Sequence, residues 1–179
     1  LRKIILRNNI YGVDINPNAI EIAKLRLWLW VVESYGSDNV EPLPNIDYNL
    51  RTGNTLIGFS DISKFEEKFD SENQREVIYY QSEKAVSEKI RERQVKVQEY
   101  KNSEGEDARE IREEINELDD GIDGLLDTNY YRNIRESTDL TKDEVRQLQP
   151  FHWGFEFKQV MDDGGFDVII GNPPYVRQE

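Results

Sequence analysis

The strongest constraint on the fold lies near the end of the chain. Phe166-Asp167-Val168-Ile169-Ile170 is a largely apolar run that stops at Gly171-Asn172-Pro173-Pro174-Tyr175. Apolar side chains at successive positions leave no face for water, which describes a central strand of a parallel sheet covered on both sides. Such a sheet is built from strand-helix-strand units, and the first sixty residues read as one. Ile10-Tyr11-Gly12-Val13-Asp14 is a short strand ending in an acid, and Asn16-Pro17 supplies a helix cap with proline in the first turn. Helix is expected from about Asn18 to Ser34. Its residues Ile20, Ala23, Leu27 and Val31 share one face, and Leu25, Trp28, Leu29, Trp30 and Val32 fill most of the remainder, so cover on more than one side is expected. Ile46-Asp47-Tyr48-Asn49-Leu50 alternates with a period of two and closes on Arg51-Thr52-Gly53-Asn54, a second strand with a glycine turn.

The middle of the chain obeys a different rhythm. Ile111, Ile115, Leu118, Ile122 and Leu125 recur at alternating steps of four and three, the spacing of a coiled-coil seam. Upstream, Tyr79, Val86, Ile90, Val97 and Tyr100 lie at helical spacings, and Asn102-Ser103-Glu104-Gly105 breaks the two stretches. An antiparallel helical hairpin is expected. Residues 60–150 carry 25 acidic and 15 basic side chains, which supply most of the excess acidity. Those charges read most simply as a solvated outer face, with a docking arm for a partner as the alternative. The expected organisation is therefore an α/β core in two parts, 1–59 and 151–179, interrupted by an acidic helical insertion at 60–150.

Composition removes several functions. With 36 Asp and Glu against 23 Lys and Arg the net charge is −13, so bulk charge does not attract a phosphate backbone, and any grip on DNA needs a local basic surface or surface outside this chain. No cysteine is present, which excludes disulfides, zinc-thiolate sites and iron–sulfur clusters and fits a reducing, cytoplasmic setting. The longest strongly apolar stretch, Leu27 to Val32, is far short of the about 20 residues of a membrane span, so no membrane partner is expected. The chain opens at Leu1 without methionine or signal-type segment and closes soon after Arg177, and reads as a piece of a longer polypeptide.

The strand ends carry the chemistry. The amino group of a nucleobase is a poor nucleophile because its lone pair is delocalised into the ring. Two acceptors aimed at its hydrogens draw it out of that plane, and the side-chain oxygen of Asn172 with the carbonyl of Pro173, stiffened by successive prolines, forms such a pair. Tyr175 then offers a face on which an extruded base stacks. Asp14 closes the first strand just before a helix, where a carboxylate binds ribose hydroxyls, and Asn54 closes the second, within reach of an adenine edge. The plainer readings are a strand-terminating turn at Gly171–Pro174, a capping carboxylate at Asp14 and a Gly-Asn turn at Asn54.

These segments together resemble the gamma-class adenine-specific DNA methyltransferases, in particular the restriction-modification enzymes that often join methylase and nuclease. The resemblance rests on Ile10–Pro17 with Ala23–Leu29, on Asn49–Gly58, and on Phe151-His152-Trp153 with Glu156-Phe157 leading to Gly165–Tyr175, about half the chain. It implies a partial Rossmann-like methyltransferase sheet with an inserted helical hairpin, and S-adenosylmethionine as cofactor. It implies Asp14 on the cofactor ribose, Ile15 beside it and Asn54 near the adenine, where many relatives carry aspartate. It implies that Asn172 and Pro173 hold the target amine while Tyr175 stacks on an adenine flipped from double-stranded DNA.

The resemblance also implies a glycine-rich cofactor loop upstream of Ile10 and a target-recognition domain after Tyr175. Leu1 to Asn8 then reads as the tail of a helix, and the sheet lacks the strand that would lie between the first strand and the Phe166–Ile170 run. That gap must be closed by rearrangement or by pairing between chains, or else leave edges exposed, so self-association is expected. The alternatives are a methyltransferase acting on protein glutamine or RNA, and a non-catalytic acidic interaction module. His152, the sole histidine, sits between Phe151 and Trp153 and reads as a packing and hydrogen-bonding residue. Trp153, Phe155 and Phe157 read as packing rather than as a platform for nucleic acid.

Overall fold

The computed structural model describes residues 1–35, 41–62 and 77–172; within the last span, side chains are described from residue 88 onward apart from residue 121. Helix α1 (Arg2–Asn9) leads into strand β1 (Gly12–Asp14), helix α2 (Pro17–Val32) and strand β2 (Leu50–Thr52). Two long helices follow, α3 (Val77–Asn102) and α4 (Gly105–Ile134), and three short ones close the described chain: α5 (Lys142–Gln147), α6 (Trp153–Glu156) and α7 (Lys158–Asp162).

β1 and β2 pair in parallel, Gly12 opposite Leu50, Val13 opposite Arg51 and Asp14 opposite Thr52, with α2 as the crossover. Asn16 caps α2 by accepting the Asn18 N–H at 3.0 Å, and Pro17 occupies the first turn, where a missing N–H costs nothing. One side of α2 packs on the strands through Ile20 and Val31 in a core with Leu6, Ile46 and Leu50. The expected second cover is not found among the described residues: Ile22, Leu25, Leu29 and Val32 form an exposed stripe.

The second strand starts later than its alternation suggests. Ile46 and Tyr48 are buried, but residues 47–49 form a turn closed by N–H bonds from Asn49 and Leu50 to the Ile46 carbonyl, and pairing begins at Leu50. Asn49 explains the departure. It is fully buried, and its Nδ2 donates to the carbonyls of Arg7 at 2.9 Å and Ile10 at 3.0 Å, so it satisfies carbonyls that the end of α1 leaves open. That segment caps a helix instead of extending a ladder.

α3 and α4 form the expected hairpin, turning at Ser103–Glu104. Ile115 and Ile122 are fully buried and Leu118 partly so; the seam then steps by four to Leu126, leaving Leu125 39% exposed, as a straight helix of 3.6 residues per turn requires. Tyr79 and Val86 lie outside the described side chains. The hairpin packs on the α/β part through Tyr100, whose ring meets Tyr48 edge-on at 5.2 Å and whose hydroxyl donates to Asp47. At the turn, Asn45 Nδ2 donates to the carbonyls of Tyr100 and Ser103 at 2.7 and 2.9 Å.

The Phe166–Ile170 run forms no strand. Val168, Ile169 and Ile170 are 76%, 74% and 93% exposed, so the feature that argued most strongly for a central strand is the least buried apolar stretch described. Among the described residues β1 pairs with β2 alone, and no strand stands between its other edge and this run, so the run has no neighbour to pair with. The architecture is thus a mixed helical and parallel-strand fold whose two-stranded sheet leaves an edge open. No described helix is long and apolar enough to cross a membrane.

Candidate active site

A cleft of about 670 Å³ opens beside the free edge of β1. It is lined by Tyr11 to Asp14, by Thr55 and Leu56, by Trp153, Phe157 and Phe166, and by Val168 to Asn172. Its volume is that of a small-molecule site. It brings Asp14 and Asn172 together from opposite ends of the chain. Asp14 ends β1, where its Oδ1 accepts the Asn16 N–H at 2.8 Å, a turn that fixes the carboxylate and leaves Oδ2 without a protein partner among the described residues.

Other expected site residues fall differently. Ile15 is 56% exposed and does not wall the cleft. Asn54 does not wall it either, because its Oδ1 accepts the Leu56 N–H at 3.1 Å and so shapes the loop that presents Thr55 and Leu56. Pro173 and Tyr175 lie outside the described residues. Tyr11 and Phe166 were not singled out for the site, and Trp153 and Phe157, read from the sequence as packing residues, also line the cleft.

The loop after β2 is laced to the segment that leads toward Asn172. Asn54 N donates to Gln149 O at 2.7 Å, Phe151 N to Ile57 O at 2.8 Å and Phe59 N to His152 Nδ1 at 3.1 Å, and Trp153 Nε1 donates to Thr55 O at 3.3 Å. Gly58 is required there, with φ at +125° and a Cβ that would stand 2.2 Å from the Phe151 carbonyl oxygen. His152 therefore has a structural role: Nδ1 accepts, which leaves the proton on Nε2, 3.4 Å from Asp127 Oδ1. Phe155 and Phe157 are buried as packing residues, whereas Trp153 is half-buried at the cleft.

Behind the cleft, buried ions join four elements. Arg51 of β2 makes a bidentate pair with Glu156 at 2.7 and 3.1 Å. Arg93 of α3, 3% exposed, reaches the same carboxylate at 3.3 Å, donates to Asp119 of α4 and lies 4.2 Å over the Phe155 ring. Burial opposes the charge on Glu156, but the two guanidinium groups outweigh it and hold the carboxyl below its usual range. Among the described residues no cluster of acids and histidine fits a metal ion.

A parallel strand pair with a carboxylate at its carboxyl end, beside a cleft also lined by an asparagine, defines an α/β protein with a cleft of small-molecule size at its strand ends. The family follows from comparison: residues 8–179 match the family described as the Eco57I restriction-modification methylase, and the chain belongs to it. A protein of Methanocaldococcus jannaschii named as a type II restriction enzyme and methyltransferase is 29% identical over 215 aligned residues, covering 96% of this chain. The chain spans 18% of the length of that relative. No solved structure matches.

Proposed function

We propose that the chain is the part of a restriction-modification methylase that joins the cofactor site to the catalytic loop, and that the enzyme methylates the exocyclic amino group of adenine in DNA. The observation that carries the reading is the shared cleft: Asp14 and Asn172, set apart by the whole hairpin in sequence, line one space beside the sheet edge. Family membership supports the methylase reading.

The residues present fit S-adenosylmethionine, since Asp14 Oδ2 is open to a hydroxyl and the cleft has the volume of a small-molecule site. The cofactor supplies an electrophilic methyl group on a sulfonium. Asp14 would hold the ribose hydroxyls, and Asn54 sets the loop on which Leu56 lines the cleft. Asn172 Oδ1 and the Pro173 carbonyl accept the two hydrogens of the target amine, localising its lone pair, and the amine loses a proton to solvent after transfer. Tyr175 stacks on the flipped adenine. The chain's own charge repels DNA, so the duplex is gripped by basic surface elsewhere in the parent enzyme.

The test is calorimetric titration of S-adenosylmethionine into this chain and into a version extended upstream along the sequence of the parent enzyme. Binding to the extended protein that is lost in Asp14→Ala is expected. Methyl transfer to adenine in DNA, abolished by Asn172→Ala with binding retained, completes the assignment. Failure of a folded extended protein to bind removes it.

A further inference from the structure

We infer that Lys101, in the last turn of α3, is a positioning residue of the cleft: it clamps Tyr11 from behind and so sets the aromatic wall against which a bound nucleoside cofactor rests. The inference rests on the reading of the cleft given above and gives the helical hairpin a part in it.

Lys101 is 8% exposed, and no carboxylate pairs with it among the described residues. Its Nζ lies 3.3 Å from the Tyr11 hydroxyl oxygen and 5.0 Å from the Tyr11 ring centroid. A buried ammonium without a counter-ion is costly, and an aliphatic side chain would fill the same place more cheaply. What the ammonium supplies in return is direction, as a donor to the hydroxyl and a cation beside the ring. Tyr11 walls the cleft, and its ring meets Phe157 at 5.1 Å and Phe166 at 5.5 Å, both of them walls of the same space. Phe166 in turn touches Trp153 at 5.9 Å and is the last aromatic anchor before the exposed run that carries Asn172. One side chain of the hairpin thus steadies the ring that connects β1 to the catalytic segment.

The charges facing Lys101 do not neutralise it. Arg7 of α1 repels it, Lys158 of α7 is held by Asp162 at 3.0 Å, and Glu104 beyond the turn lies 3.9 Å from Lys3. Glu156, which lines the same small hollow, is engaged by Arg51 and Arg93. Burial first, and Arg7 second, bring the Lys101 ammonium down to about 8. The clamp is therefore charged at neutral pH and loses its proton on the alkaline side.

The experiment titrates S-adenosylhomocysteine into the upstream-extended protein from about pH 7 to about pH 9, for wild type, Lys101→Arg and Lys101→Met, while the Tyr11 ring is followed by NMR of labelled tyrosine. Wild-type affinity is expected to fall up to about tenfold across that range, the scale of one partly buried cation–ring contact. Lys101→Arg should bind with a flat profile, and Lys101→Met should bind weakly at every pH while melting no lower than wild type. Wild-type affinity and pH profile in Lys101→Met would overturn the inference. If wild type binds nothing, the reading of the cleft fails, and the ring signal decides the clamp by itself. Tyr11 resonances that titrate near pH 8 and lose that step in Lys101→Met support it; resonances untouched by either overturn it.

Discussion

The hairpin junction and the Phe166–Asn172 segment are both parts of the chain that must meet the sheet, and they do so in opposite ways. At the junction Arg51, Arg93, Asp119 and Glu156 are sunk among Tyr48 and Phe155, and each of these four has a partner of opposite charge. In the other segment three consecutive apolar residues stand in solvent. Composition alone would have assigned them the reverse way, with charges outside and isoleucines inside. The difference teaches that burial follows the availability of a partner surface. The hairpin supplies Arg93 and Asp119 to meet Arg51 of β2 and Glu156 of α6, whereas no described strand lies beside Val168–Ile170.

The largest effect is expected where that junction is broken. Arg93→Met leaves Asp119 without its principal cation and strips one of two from Glu156, and removing one partner of a buried pair costs about 3–5 kcal/mol. Urea unfolding should show that loss; a cost under about 1 kcal/mol would mean that the hairpin is held by its apolar contacts alone. Phe155→Ala should cost a similar amount, about 3–5 kcal/mol, since its ring is 1% exposed between Ile62, Ile90, Ile122 and Leu126.

The same junction sets a pH dependence. Glu156 titrates below its unfolded value, so it contributes stability that is complete above the ordinary carboxylate range and is lost as pH falls through its depressed folded value. Stability measured from neutral pH downward should decline more steeply in wild type than in Glu156→Gln. Equal slopes would assign the acid lability to other groups, with Asp47 the first to examine, because Tyr100 and Lys24 likewise hold it low against the effect of burial.

Much of the hairpin and little of the Phe166–Asn172 run were legible in sequence, and the reason is physical. A helix satisfies its backbone within itself, so the spacing of Ile111, Ile115, Leu118 and Ile122 and the break near Ser103 suffice to place α3 and α4. A strand borrows half its bonds from a neighbour, and Phe166–Ile170 holds no information about whether that neighbour is present. Asn49 shows a third case. Its place in an alternating pattern pointed to a ladder, but its amide serves the carbonyl end of α1, a long-range bond that no local pattern records. Of the residues that line the cleft, Asp14 and Asn172 are the two that the sequence had singled out. Tyr11 and Trp153 were not, because their side chains reach the cleft only through contacts with the hairpin and the loop after β2.

A smaller effect is expected at the start of α5, where Thr141 and Glu144 form a reciprocal cap, Thr141 N donating to Glu144 Oε2 at 2.8 Å and Glu144 N to Thr141 Oγ1 at 3.3 Å. Thr141→Ala should cost about 1 kcal/mol in urea unfolding. A loss several times larger would show that α5 carries the lacing of Gln149 to Asn54, and with it the cleft.

The smallest effect on folding is expected in the run that sequence made most prominent. Ile170 is 93% exposed, so Ile170→Ser removes almost no buried area and should change stability by less than about 0.5 kcal/mol. A loss of 2 kcal/mol or more would mean that the run finds a partner, within the chain or in a second copy, and light scattering would separate the two. Association that weakens in Ile170→Ser assigns the run to a contact between copies, whereas association that weakens only in Leu25→Ser assigns it to the exposed stripe of α2. In either case the cofactor titration of the extended protein gives the complementary reading. If the added segment occupies the space beside β1, the same Ile170→Ser substitution should become costly there, because the residue then has a neighbour to bury it.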